Sequence, residues 1–147
     1  MKKLPSLFQP KDFKLRVKRS RSGCGLFAGR IIPKGVCIIE YTGRPASKRQ
    51  IEEDRGKYLF WTSSKTMIDG NIPSNAARFI NHSCAPNCEI DIRDKRVFVF
   101  SKRRIKPGEE LDYDYDTEYF ERHIRPIGCT CAKCTSKAKI VMKHRTA

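Results

Sequence analysis

Apolar positions in this chain come in short bursts separated by turns. Val36-Cys37-Ile38-Ile39 is a continuous apolar run, the pattern of a buried strand. Glu89 to Arg93 and Arg96 to Phe100 are β-prone stretches divided by Asp94-Lys95, which predicts a hairpin. One helix is predicted, over Ser47 to Lys57. Ser47 can cap it, and Gln50, three residues on, can close a capping box. Ser74 is placed to cap a short turn through Asn75-Ala76-Ala77. A turn device occurs twice, as Ile32-Pro33-Lys34-Gly35 and Ile105-Lys106-Pro107-Gly108: proline presets φ and the nearby glycine tolerates positive φ. The expectation is a mainly β fold (α+β) with one or two short helices.

Length and composition narrow this. The 147 residues suit one domain, and 39% hydrophobic residues against 32% charged still leave enough Ile, Val, Phe and Leu for a core. No apolar run approaches the roughly 20 residues of a membrane span. Met1-Lys2-Lys3 starts like an export signal, but Pro5, Gln9, Pro10 and Lys11 interrupt the stretch that would have to be apolar. The chain is therefore expected to be soluble, without membrane association, in a reducing intracellular compartment: the nucleus in a eukaryote, the cytoplasm in a bacterium. Cys129, Cys131 and Cys134 lie too close for simple local disulfide pairing, and such clusters bind metal more often.

The net charge of +15 points to an acidic partner or neighbourhood, or to a solvated basic surface. Its distribution says more. Residues 1–22 carry eight Lys or Arg and one acid, and residues 129–147 carry five and none. From Glu109 to Glu121 there are seven acids and no base, nearly half of the chain's 16. A basic protein that gathers its negative charge in one strip can present it to a basic ligand.

The strongest segment is Arg78-Phe79-Ile80-Asn81-His82-Ser83-Cys84-Ala85-Pro86-Asn87. It resembles the central motif of SET-domain lysine methyltransferases. Three further pieces resemble that family in its own order: Ser22-Gly23-Cys24-Gly25-Leu26-Phe27-Ala28, Glu40-Tyr41-Thr42-Gly43, and Gly108-Glu109-Glu110-Leu111-Asp112-Tyr113-Asp114-Tyr115. The resemblance covers residues 14–134. It implies a fold of several small curved sheets around a pseudoknot-like threading of the C-terminal motif. It divides the chain into a basic N-terminal segment (1–13), the SET domain (14–121) and a post-SET-like segment with a basic tail (122–147).

The resemblance also implies a chemistry: methyl transfer from S-adenosylmethionine to a lysine amine. A free lysine has a pKa of about 10.4 and must lose its proton to attack. A desolvated channel near a sulfonium cation lowers that pKa. Tyrosine suits the walls, with an apolar ring whose face attracts cations and a hydroxyl that can hold an amine or water. By resemblance, Tyr115 and Tyr41 are catalytic, and Tyr58 and Tyr113 line the lysine channel. A tyrosine at position 113, where the family carries Tyr or Phe, implies mono- or dimethylation. Gly23, Cys24, Gly25, Leu26, Tyr58, Arg78, Asn81 and His82 are expected at the cofactor, glycines allowing close backbone approach. No G-x-G-x-x-G opens a long helix, so a Rossmann-type methyltransferase is not expected.

The family's structural zinc would be held by Cys84 with Cys129, Cys131 and Cys134. The family spaces its last two cysteines by four residues and this chain by two, so Cys88 stands as an alternative to Cys134. Expected partners are basic proteins, with a histone-like tail favoured, and nucleic acid or nucleosomes through the basic termini. Two rival readings are a SET-fold module without turnover that binds basic peptides or nucleic acid, and a small zinc-dependent nucleic-acid-binding protein.

Overall fold

The computed structural model describes residues 4–21, 23–53 and 58–115. It consists of small sheets with little helix, as the apolar pattern predicts. The strands are β1 (Arg16–Ser20), β2 (Gly23–Phe27), β3 (Cys37–Tyr41), β4 (Arg44–Pro45), β5 (Leu59–Trp61), β6 (Met67–Asp69), β7 (Asn81–His82), β8 (Cys88–Arg93), β9 (Arg96–Ser101) and β10 (Asp112–Tyr113). They form an antiparallel β1-β2 pair, antiparallel sheets β3-β9-β8 and β4-β6-β5, and a parallel β7-β10 pair.

Strand β9 is the centre. Its Val97 and Val99 enter the main core with Leu26, Ile32, Ile38, Ile80, Ile105 and Leu111. Its Phe98 and Phe100 face a second cluster with Leu4, Phe8 and Cys37. Both faces of β9 are therefore buried, which its unbroken Val-Phe-Val-Phe run permits. The N-terminal residues cover the second face. A 3₁₀ turn, Ser6–Phe8, sets the Phe8 ring edge-on to Phe98 at 5.2 Å and Phe100 at 5.5 Å. Phe13 is buried in the main core. The segment expected as a basic arm thus carries three core side chains.

Local signals became local structure. Asp94 and Lys95 adopt φ of 52° and 60°, the left-handed pair of a tight hairpin turn. Helix α1 (Lys48–Glu53) begins with the capping box: the Ser47 amide donates to Gln50 Oε1 (2.7 Å) and the Gln50 amide to Ser47 Oγ (3.1 Å). The last part of the predicted Ser47–Lys57 helix, residues 54–57, lies outside the described residues. Ser74 does not cap the next turn. Asn75 precedes the 3₁₀ turn Ala76–Phe79 without a side-chain cap bond. Its side-chain amide instead donates to the Gly70 carbonyl (2.9 Å) and accepts from the Thr42 amide (3.1 Å), a tertiary tie that outcompetes a cap. Among the described residues no helix is long and apolar enough to cross a membrane.

The segment from Glu109 to Tyr113 is held on two sides. Toward β2, Ala28 N donates to Glu109 O (2.9 Å) and Leu111 N to Leu26 O (2.8 Å). Toward β7, Ser83 N donates to Tyr113 O (3.1 Å). Asn87 clasps it: its backbone N–H donates to Asp112 Oδ1 (2.8 Å), its Nδ2 to Glu110 O (2.8 Å), and its Oδ1 accepts from Asp112 N (2.9 Å).

Burial pushes the Asp112 carboxyl up to about 6 from 3.8, opposed by the Asn87 amide and assisted by Glu110. A raised carboxyl pKa means that the folded state holds its proton more tightly than the unfolded chain. The contribution to stability is complete below about pH 4 and is lost as pH rises through 6. Asp112→Asn keeps the acceptor and removes the titration. Its stability minus wild type's is expected to grow between pH 4 and 7 by on the order of 1 kcal/mol, discounted for the water that still reaches the carboxylate. Urea unfolding across that range measures it, and a flat difference contradicts it.

Candidate active site

Strand β10 runs parallel to β7 with Asp112 opposite Asn81 and Tyr113 opposite His82. This register brings the Asn-His-Ser segment and the tyrosine segment together. Tyr115 sits beside His82, ring centroids 5.2 Å apart, and beside Tyr113 at 4.8 Å. Tyr113 faces Phe60 at 6.4 Å, and Phe60 faces Tyr41 at 5.1 Å. A run of aromatic rings thus leads from Tyr41 to Tyr115. The Tyr115 hydroxyl donates to the Ile80 carbonyl (2.6 Å) and the Tyr41 hydroxyl to the Tyr58 carbonyl (3.1 Å). Gly70 lies on the Tyr41 ring, where any Cβ would overlap the hydroxyl end.

His82 is wired to both neighbours. Its Nδ1 accepts from the Tyr115 amide (3.0 Å), so that nitrogen carries no proton and the other can donate. Nε2 lies 3.2 Å from Cys84 Sγ. Burial holds His82 below the ordinary imidazole value, against the pull of Asp114, whose Oδ1 is 3.6 Å from Nδ1. The ring is a neutral strut that fixes Tyr115 and addresses the Cys84 sulfur.

The expected cofactor residues converge only in part. Asn81 Nδ2 donates to the Cys24 carbonyl (2.9 Å) and to Glu110 Oε2 (2.8 Å), which joins the glycine motif to the Asn-His-Ser motif. Gly23 has φ of 106°, and a Cβ on Gly25 would stand 2.5 Å from Glu110 Oε2. The Leu26 side chain is core, and its carbonyl is taken by Leu111. Arg78 is engaged within its own loop: Nη1 donates to the carbonyls of Ile72 (2.5 Å), Asn75 (3.1 Å) and Pro73 (3.2 Å), and the guanidinium lies 4.3 Å from the Phe79 ring centroid. Tyr58 is half-buried at the Tyr41 end of the aromatic run and meets Tyr41 through its backbone carbonyl.

Cys84 is half-buried beside His82. Cys88 is a different kind of thiol. It is sealed in the core, donates to Asn87 Oδ1 (3.2 Å), and burial pushes it up to about 12. Its burial and its bond to Asn87 give it a place in the core of the clasp. Cys129, Cys131 and Cys134 lie outside the described residues, and among those described no group of three metal-ligating side chains occurs.

Two residues of the site, Phe60 outside the motifs and Glu110 within the last of them, were assigned no role from the sequence. Phe60 joins the tyrosines because β5 carries it there; its Leu-Phe-Trp context reads only as a strand. Glu110 accepts from Ser20 Oγ (2.7 and 2.9 Å) and from Asn81, so its carboxylate ties β1 to β7, and Asn81 in turn reaches β2 at Cys24 O. Its place in the acidic strip was the available signal, but the Ser20 tie spans 90 residues. Glu110→Ala is expected to weaken binding of the S-adenosylmethionine that the family resemblance implies by about 10-fold or more, through the lost charge-assisted bonds and a loosened Asn81, with Glu110→Gln intermediate. Calorimetric titration of the cofactor checks this; unchanged affinity in the Ala variant contradicts it.

Comparison with known proteins agrees with this geometry. The family model for the SET domain matches residues 23–116. Histone-lysine N-methyltransferase trr of Drosophila melanogaster is 38% identical over 125 residues, 76% of this chain and 5% of that protein. Histone-lysine N-methyltransferase 2D of Homo sapiens is 38% identical over 126 residues, 77% of this chain and 2% of that protein. The H3 lysine-4 specific histone-lysine N-methyltransferase of Chaetomium globosum is 37% identical over 148 residues, 88% of this chain and 14% of that protein. The chain therefore spans a small part of the curated relatives it matches. The crystal structure of KRYPTONITE in complex with mCHH DNA, H3(1-15) peptide and SAH superposes with a TM-score of 0.63 at 32% identity, covering 76% of this chain and 25% of that one. On the extent of the family match and the identity to these relatives, the chain belongs to the SET-domain family.

Proposed function

We propose that this protein methylates a lysine side chain of a basic protein, a histone-like tail being the favoured substrate, with S-adenosylmethionine as methyl donor. The observation that carries the reading is the packing of Tyr113 and Tyr115 on the threaded segment beside Asn81 and His82, at the end of the aromatic run. The residues fit the cofactor. The Asn81–Glu110 pair offers an amide and a carboxylate to a ligand that bears an ammonium, and the missing Cβ of Gly25 makes room for the Glu110 carboxylate beside the glycine motif. When bound, the cofactor supplies a methyl group on a cationic sulfur.

The chain's own residues do the rest. The rings of Tyr41, Phe60, Tyr113 and Tyr115 strip water from an entering lysine, which disfavours the ammonium and releases its proton to solvent. Their faces still attract the cation as it approaches. The Tyr115 hydroxyl, fixed by Ile80 O, and the His82-anchored Tyr115 amide hold the ring where the amine arrives. The second hydroxyl at Tyr113 narrows the end of the channel and favours mono- or dimethylation. Acids from Glu109 onward attract a basic substrate. The basic termini would hold one carried on nucleic acid.

We further propose a structural zinc on Cys84 with Cys129, Cys131 and Cys134, in a reducing compartment where those thiols persist. His82 Nε2 would donate to the Cys84 sulfur, a bond that favours a thiolate. Protein from metal-replete medium is expected to hold about one zinc per chain by atomic absorption. Cys84→Ser should lose it and Cys88→Ala retain it. Loss in Cys88→Ala with retention in Cys84→Ser would reverse the assignment.

The direct test of activity is methyl transfer from labelled S-adenosylmethionine to core histones, ribosomal proteins and other basic proteins, with modified residues located by mass. Wild type is expected to label lysine, and Tyr115→Phe to lose about 100-fold or more while melting normally. Equal turnover by Tyr115→Phe would sink the assignment. Cofactor binding with no labelling of any substrate would favour the binding-module reading.

A further inference from the structure

The repeated Pro-Gly turn has no task in methyl transfer. In the fold the two copies bind each other. Ile32 and Ile105 pair in an antiparallel bridge with both amides bonded at 2.9 Å, and both side chains are fully buried. Gly35 N donates to Ser101 O (2.8 Å) and Gly108 N to Ala28 O (2.7 Å). Gly35 and Gly108 take φ of 78° and 86°, which closes both turns. The backbone under this surface is therefore fixed at several points.

The surface itself presents charge. Lys34 lies in the first turn with Arg30 just before it, Lys106 lies in the second with Lys102 and Arg104 just before it, and all five are exposed. The alternation that buries Ile105 turns Arg104 and Lys106 to solvent. None of the five has an ion-pair partner among the described residues. The acids nearby are engaged: Glu109 bonds Arg103 (2.7 Å), accepts from the Lys106 amide (2.8 Å) and feels a smaller pull from the Lys106 charge, and Asp12 bonds Lys14 (2.8 Å) with a smaller pull from Arg30. The chain has 16 acids and leaves this repulsion standing.

We propose that the paired turns form a docking platform for the phosphate backbone of a nucleic-acid duplex, with Arg30, Lys34, Lys102, Arg104 and Lys106 as the phosphate contacts. A duplex carries a negative charge every ~1.7 Å of its axis. One face of an extended acidic peptide offers a charge only every ~7 Å. Five exposed cations on two bonded turns and their flanking residues suit the first density better than the second. Neither turn carries an aromatic side chain to stack a base, so the ligand is the backbone of a duplex rather than a single strand. The proposal goes beyond the tail contacts above, because it assigns binding to the folded domain. It stands independently of methyl transfer, since its readout is binding alone.

The test is fluorescence anisotropy of the full chain against mixed-sequence DNA and RNA duplexes over a salt series, with a poly-glutamate peptide as comparison. Lys102→Gln/Arg104→Gln/Lys106→Gln is expected to weaken duplex binding about 10-fold or more. It should also lower the slope of log affinity against log salt by about 2 to 3. Arg44→Gln/Lys48→Gln/Lys65→Gln removes equal charge away from the two turns and should leave the slope within about one unit of wild type. Should the platform triple melt early, the single Gln substitutions serve, each weakening binding about 2- to 5-fold. Binding to either duplex supports the platform, and the stronger arm names the nucleic acid. The proposal is overturned if wild type binds neither duplex, if poly-glutamate binds more tightly, or if the two triples weaken binding equally. It also falls if the termini carry all the affinity, in which case the platform triple behaves as wild type.

Discussion

Asn87 donates and accepts three hydrogen bonds with residues 110–112, a stretch 23 to 25 positions downstream. The candidate site depends on that clasp. With it closed, Leu111 is fully buried, β10 lies in register with β7, and Tyr113 and Tyr115 are delivered to the side of His82. The bonds of Tyr113 O to Ser83 N and of Tyr115 to His82 and Ile80 then finish the placement. Buried polar networks of this kind are favourable only when every member is satisfied. No buried side-chain nitrogen or oxygen among the described residues lacks a partner.

The same segment concentrates the electrostatics. A chain of net charge +15 keeps Glu110, Asp112 and Asp114 together on one threaded stretch. Each has a different environment: Glu110 receives Ser20 and Asn81, Asp112 is pushed up by burial, and Asp114 faces His82. The opposite sign is sorted elsewhere, onto the paired turns. The proposed platform and the acidic segment meet at Glu109, which bonds Arg103 and the Lys106 amide.

Legibility from the sequence divides by distance along the chain. The capping box of Ser47 and Gln50 and the Asp94-Lys95 turn were legible because each is closed by residues a few positions apart. The motif tyrosines were legible through the family resemblance; periodicity alone gave only a β-rich fold. Ser74 misled because Asn75 is claimed by Thr42 and Gly70, which no local rule reveals. The burial of Leu4 and Phe8 was hidden by surrounding lysines, and Phe60 by its ordinary strand context. Arg78 lies in the strongest motif, yet its guanidinium is spent on the loop carbonyls just before it.

The central claim is that cofactor and lysine meet at Tyr115 through the register of β7 and β10. A crystal structure with S-adenosylhomocysteine and a lysine-containing histone-tail peptide tests it most directly. The account expects the cofactor product against Gly23–Gly25, Asn81 and Glu110, and the lysine side chain lying along Tyr41, Phe60 and Tyr113 to end at Tyr115. A cofactor seated away from Asn81, or a lysine bound outside those aromatic rings, would contradict it.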